Sequence, residues 1–224
     1  MAVSKELFSD EVGNELILIQ HGFMGASSRY SYMKDYFLKK GYKLINYQIT
    51  TTGRPLDSIY QEFEERVHNV PFSKFKKVHW IGHSLGCVLM RMYLSNHDIP
   101  NLKNIIFIAG PNSNLEFKSG IYFKLGQTLS IFRPLQDLRK IYKDIPPIKN
   151  KSIKIGIISG TKSNLPTAKD VDPPSDGLLN VSMTKLDKDR MDDELVVPYN
   201  HFEIYQKLDV IEHIDNFIKQ SKFE

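Results

Sequence analysis

The chain has 224 residues, 41% of them hydrophobic, enough for a single domain (1–224) with a full core. Thirty Lys and Arg against 26 Asp and Glu leave a net charge of +4, with basic pairs such as Lys76-Lys77 scattered rather than gathered. That is too mild for a nucleic-acid footprint, so no nucleic-acid partner is expected, while peripheral contact with a membrane surface stays compatible with it.

The start, Met1-Ala2-Val3-Ser4-Lys5-Glu6, lacks a basic stretch followed by an apolar one. No apolar run approaches the ~20 residues that span a bilayer. The expectation is a soluble, unexported, cytoplasmic chain. The single cysteine, Cys87, has no internal disulfide partner and reads as core packing.

Residues 16 to 19 (Leu-Ile-Leu-Ile) form a continuous apolar run, as in a strand buried on both faces, and end at the turn His21-Gly22-Phe23-Met24-Gly25. Ser27-Ser28 can cap a helix carrying Tyr30, Met33, Phe37 and Leu38, which Gly41 ends. A second strand is predicted over about 44–49. After the loop Thr50 to Pro55, Leu56, Ile59, Phe63 and Val67 recur at helical spacing.

The third strand, from Val78, runs into Gly82-His83-Ser84-Leu85-Gly86 and a helix over 85–94. A serine between a strand and a helix, flanked by glycines, reads as a nucleophile elbow that pushes the Ser84 hydroxyl outward. The bland alternative is a glycine-rich turn with a capping serine. Further strands are predicted at 104–109, 153–159 and 195–197. A last helix carries Ile204, Leu208, Ile211, Ile214 and Ile218 along one side. Strands alternating with helices imply a mostly parallel sheet of about six strands, with ligands at its carboxyl ends.

Residues 112–151 break this rhythm, because the connection is long and carries its own apolar residues. Phe117, Ile121 and Leu125 precede a helical stretch with Leu135, Leu138, Ile141 and Tyr142, begun by Pro134. A small helical cap over the site is the expectation; satellite core and a docking face are the alternatives.

A serine hydroxyl needs an imidazole to take its proton and a carboxylate to fix the imidazole tautomer. His201 follows the last strand, in the loop Pro198-Tyr199-Asn200-His201 at the sheet end where Ser84 lies, and is the expected base. His21 and His83 could each hold a turn by hydrogen bonding. Asp170, Asp172 and Asp176 all follow the fifth strand; Asp176 is preferred because the Asp176-Gly177 turn can project its carboxylate. The order Ser84, Asp176, His201 is the one α/β-hydrolases use.

On these residues the sequence resembles an α/β-hydrolase of the small bacterial lipase and esterase branch, over nearly its whole length. The resemblance is carried by His21-Gly22-Phe23-Met24-Gly25, Gly82-His83-Ser84-Leu85-Gly86, Ser175-Asp176-Gly177-Leu178-Leu179 and His201. It implies a three-layer α/β-hydrolase fold, with Ser84 as nucleophile, Asp176 as acid and His201 as base. It also implies an oxyanion hole from the amides of Phe23 and Leu85, with Met24 a secondary donor. Cys87 stands where many relatives have another glycine, so helix packing there is expected to differ.

Met24, Phe117, Ile121 and Leu125 are expected to line the substrate. The substrate class is a small-molecule ester or lipid with an apolar acyl chain; thioester, amide or acyl-transfer chemistry by the same triad and a non-catalytic binding role are the alternatives. The acidic run Asp187 to Glu194 reads as a solvated loop, and neither metal nor cofactor is expected.

Overall fold

The computed structural model describes residues 15–113, 128–141, 145–186 and 190–224. Its frame is a six-stranded sheet ordered β2-β1-β3-β4-β5-β6. The strands are β1 (Glu15–Gln20), β2 (Lys43–Tyr47), β3 (Lys77–His83), β4 (Leu102–Ile108), β5 (Lys154–Gly160) and β6 (Asp193–Val197). All six run parallel. Parallel strands need covered faces, and the alternation of side chains divides the core accordingly.

Leu16, Leu18, Val78, Trp80, Ile105 and Phe107 point to one face, where they meet α2 (Leu56–His68) and α3 (Leu85–Asn96). Ile17, Ile19, Ile81, Ile106 and Ile108 point to the other, against α1 (Ser31–Lys39) and the C-terminal helix Leu208–Gln220. A short strand therefore reads as an unbroken apolar run because both of its faces are buried.

The order of the strands also fixes where a ligand can enter. From β1 the chain steps to β2 on one side and then crosses to β3 on the other, so the strand order reverses at β1. Connections leaving the carboxyl ends of β1 and β3 diverge there and open a crevice. The turn after β1 and the β3–α3 junction lie at that crevice.

Two expectations need correction. Ser27 and Ser28 do not cap α1: residues 27–30 form a 3₁₀ turn without a side-chain cap, and α1 begins only at Ser31. Ile204 belongs to a separate 3₁₀ turn, and Leu208 is exposed as the first residue of the final helix. That helix buries Val210, Ile211, Ile214, Phe217 and Ile218 instead. Within 112–151, α4 (Arg133–Ile141) buries Leu138 in the main core, joined by Ile145 and Ile148. Asp137 accepts a hydrogen bond from the Leu56 N–H at the start of α2, so this half of the insertion is tied to the body of the fold. Tyr142 lies outside the described residues.

Trp80 is fully buried, stacked on Phe63 with ring centroids 5.7 Å apart and edge-on to Tyr93 at 5.7 Å. Trp80→Ala should cost about 3–5 kcal/mol, read as a lowered urea midpoint.

A pH effect follows from three buried imidazoles. Burial holds His21, His79 and His83 below their ordinary value of 6.5, a bias that His79 keeps despite accepting help from Glu15. Unfolding lets them take up protons that the folded state refuses, so the stability they allow is present above pH 6.5 and is lost as pH falls below it. The urea midpoint should be lower at pH 5.5 than at 7.5; an equal or higher midpoint at 5.5 contradicts this.

Candidate active site

Ser84 joins β3 to α3 with φ 53° and ψ −123°, a backbone conformation that a residue with a Cβ rarely adopts. The turn is held from all sides. The Ser84 N–H donates to the Ile108 carbonyl at 3.0 Å, and the Cys87 N–H donates to the Ser84 carbonyl at 3.0 Å. A Cβ on Gly86 would strike the Gln20 and His21 carbonyls, so only glycine lets α3 begin this close to β1. The departure at Cys87 is absorbed by Gly110, whose own Cβ would lie 2.6 Å from the Cys87 side chain. Burial pushes the Cys87 thiol pKa up, so it packs as a neutral thiol. Ser84 itself stays partly exposed.

The residues proposed as base and acid come together. His201 Nδ1 lies 2.7 Å from Asp176 Oδ2, and both side chains are buried. The other carboxylate oxygen, Oδ1, accepts the N–H groups of Leu178 (2.9 Å) and Leu179 (2.8 Å). Asp176 therefore has its charge hydrogen-bonded at both oxygens, and the positive φ of Gly177 allows the tight turn that does this. The His201 N–H donates back to the Asp176 carbonyl at 3.0 Å. Asn200 Oδ1 closes the His201 loop by accepting from Phe202 and Glu203 N–H. Of the other two candidate acids, Asp172 is exposed and Asp170 is buried in a 3₁₀ turn; the carboxylate that meets His201 Nδ1 is that of Asp176.

His83, next to Ser84 in the chain, holds the His201 loop against the elbow. Its Nε2–H donates to the His201 carbonyl at 3.0 Å, and its ring lies 4.5 Å from Tyr205 and 4.8 Å from His201. This is the turn-holding role open to it from sequence, but across 118 residues rather than locally. Burial and the neighbouring His201 hold its pKa well down.

At the end of β1, the Gly25 N–H donates to the Gly22 carbonyl, making a turn with Phe23 and Met24 at its centre. A Cβ on Gly22 would lie 2.6 Å from Ser84 Cβ and 3.2 Å from its Oγ, so this backbone passes directly over the serine. Leu85 is the first residue of α3, where its N–H has no intrahelical acceptor. The Leu85 side chain is core; its amide is the part at the site.

Apolar groups lie beside this turn. The Phe23 ring lies 5.5 Å from Phe132, Met24 is 53% exposed, and Leu129 and Ile131, close to Phe132 in the chain, are exposed. The Gly53 N–H donates to the Ile131 carbonyl at 3.0 Å, fixing that segment to the loop after β2. Phe132 was not singled out as a site residue by its sequence. Phe117, Ile121 and Leu125 lie outside the described residues. So do residues 187–189, but the end of the acidic run is not simply solvated. Asp192 Oδ2 accepts the Ile155 N–H and Asp193 Oδ2 the Phe223 N–H, which gives these carboxylates structural partners. Among the described residues, no group of three or more His, Cys, Asp or Glu could hold a metal ion, and no helix is long and apolar enough to cross a membrane.

No protein-family model matches the chain, and no curated protein matches it. Solved structures do resemble it. A lipase-esterase related protein from Clostridium acetobutylicum is 15% identical, with 92% of this chain and 97% of that one covered at a TM-score of 0.62. The lipase BlEst2 of Bacillus licheniformis in its mature form is 14% identical, with 95% and 94% covered at 0.63. A pyrethroid hydrolase from Sphingobium faniae is 12% identical, with 93% and 98% covered at 0.57. At such identities the likeness speaks to architecture, and with six parallel strands between two helical layers the chain has the α/β-hydrolase fold.

Proposed function

We propose that the protein is a serine hydrolase that cleaves carboxylic esters with apolar acyl chains through an acyl-enzyme. The observation that carries this reading is the buried Asp176–His201 pair, at 2.7 Å, whose loop is bonded to the residue preceding the strained Ser84. Asp176 keeps the proton on His201 Nδ1, which leaves Nε2 free to accept another. His201 takes the Ser84 proton as Oγ attacks the ester carbonyl carbon, and the displaced electron pair moves onto the carbonyl oxygen. The N–H groups of Phe23 and Leu85 receive that negative charge. Collapse expels the alcohol, which takes the proton from His201, and leaves Ser84 acylated. Water then repeats the sequence, releasing the acid and restoring the serine.

The substrate side of the proposal rests on the apolar mouth formed by Phe23, Met24, Ile131 and Phe132. The segment 112–151 is read as a fixed cap in its second half, because α4 is anchored to α2 and contributes to the core.

Ser84→Ala should lower kcat on a nitrophenyl ester by about 10⁴-fold or more. Asp176→Asn should cost about 10⁴-fold through the wrong imidazole tautomer, whereas Asp172→Asn should leave turnover near wild type. Equal damage from Asp172→Asn would assign the acid wrongly.

A series of nitrophenyl esters tests the substrate class. Each methylene buried in the mouth contributes roughly 0.8 kcal/mol, so kcat/KM should rise by up to about two hundredfold over four added methylenes. Phe132→Ala should flatten that rise while acetyl esters are still cleaved, and a profile that is flat in the wild type contradicts the apolar reading.

A further inference from the structure

The oxyanion turn is held through one carbonyl. Gly22 O accepts the Gly25 N–H at 3.1 Å, the Thr51 hydroxyl at 3.1 Å and the His21 Nδ1–H at 2.9 Å. The His21 tautomer is dictated by its surroundings: Nε2 accepts the Ile49 N–H at 3.2 Å, so the ring proton must sit on Nδ1, facing Gly22 O. A trans peptide is planar, with its N–H directed opposite to its C=O. The carbonyl of Gly22 and the N–H of Phe23 belong to the same peptide. Whatever pins the first aims the second.

We propose that Thr51, in the loop after β2, is a positioning residue for catalysis: its hydroxyl locks the Gly22–Phe23 peptide so that the Phe23 N–H points at the developing oxyanion. This rests on the serine-hydrolase reading above and adds a residue from outside the β1 turn and the Ser84, Asp176 and His201 set. Thr51 is buried, 29 residues from Gly22, and its hydroxyl has no other recorded bond among the described residues. The same loop ties down Ile131 through the Gly53 N–H, so it braces both the oxyanion turn and the apolar rim. Within the turn the Gly25 N–H and the His21 Nδ1–H hold this carbonyl, but Met24 at its centre has a φ of 52°, a conformation that is costly for a residue with a side chain, so a bond from outside the turn steadies it.

The Phe23 N–H that this hydroxyl aims is needed only where negative charge forms, so loss of the hydroxyl should appear in kcat and not in KM. Thr51→Val keeps the shape and deletes the donor; Thr51→Ser keeps the donor and deletes the methyl group. With the wild-type chain and a nitrophenyl ester, Thr51→Val should lose about tenfold in kcat, less than the 10²–10³ of a deleted oxyanion donor, with KM within about twofold. Thr51→Ser should restore kcat. A trifluoromethyl ketone, whose adduct with Ser84 carries the oxyanion, should bind Thr51→Val weaker by the same factor. If Thr51→Val does not fold, Thr51→Ala against Thr51→Ser makes the same comparison, since both lack the methyl group and differ in the hydroxyl. Wild-type kcat and inhibitor binding in the hydroxyl-free variant, or a loss that serine does not restore, overturns the proposal. Wild-type protein that neither turns over the ester nor binds the ketone instead overturns the parent reading.

Discussion

A serine held at φ 53° and ψ −123° costs of order 1–3 kcal/mol, and that cost is met only where surrounding packing leaves the backbone no alternative. Here β3 is locked between β1 and β4, while α3 is pressed so close to β1 that Gly86 touches the Gln20 carbonyl region. The chain cannot relax at Ser84 without moving the center of its sheet. The strained turn is therefore the point on which the site depends, and the buried core on both sheet faces is what sustains it.

Around that turn the polar groups form a closed set of backbone-directed bonds. Asp176 satisfies two amides and one imidazole, His83 reaches the carbonyl of His201, and His21 and Thr51 share the carbonyl of Gly22. Buried polar groups arranged this way are rigid, because each would be costly to leave unpaired. The consequence is preorganisation: the groups that would meet substrate are aimed before it arrives. It also explains why burial lowers the pKa of His21 and His83 without an opposing charge. His21 faces a backbone donor at Nε2, and His83 lies against a second imidazole, so neither has a carboxylate to support a charge.

Much of this was legible in the sequence where the determinants are local. Each strand announces itself as an apolar run because both its faces are covered, and Gly82-His83-Ser84-Leu85-Gly86 carries its own turn requirement. Asp176 was preferred to Asp172 because Asp-Gly supports a tight turn, and His201 was chosen from chain order and sheet end; the structure brings these two side chains within 2.7 Å. What escaped was long-range. Thr51 and His83 make contacts 29 and 118 residues away, and nothing in their neighbours signals them. The helix over 133–141 was ambiguous for a different reason: an apolar stripe looks the same whether it faces a substrate or, as Leu138 does, the core. Serine pairs before a helix likewise promise a cap, but the Ser27 backbone N–H donates to Gln48 Oε1, residues 27–30 form a 3₁₀ turn and the helix starts only at Ser31.

The central claim is that Ser84 is a nucleophile activated by the Asp176–His201 pair, whose loop His83 bonds to the elbow. A fluorophosphonate reacts with activated serines, so its site of attachment is the most direct measurement. Labelling of the wild-type protein, mapped by mass spectrometry to Ser84 and abolished in His201→Ala, is the result expected. Absence of labelling in folded wild-type protein, or labelling that persists undiminished in His201→Ala, would contradict the account.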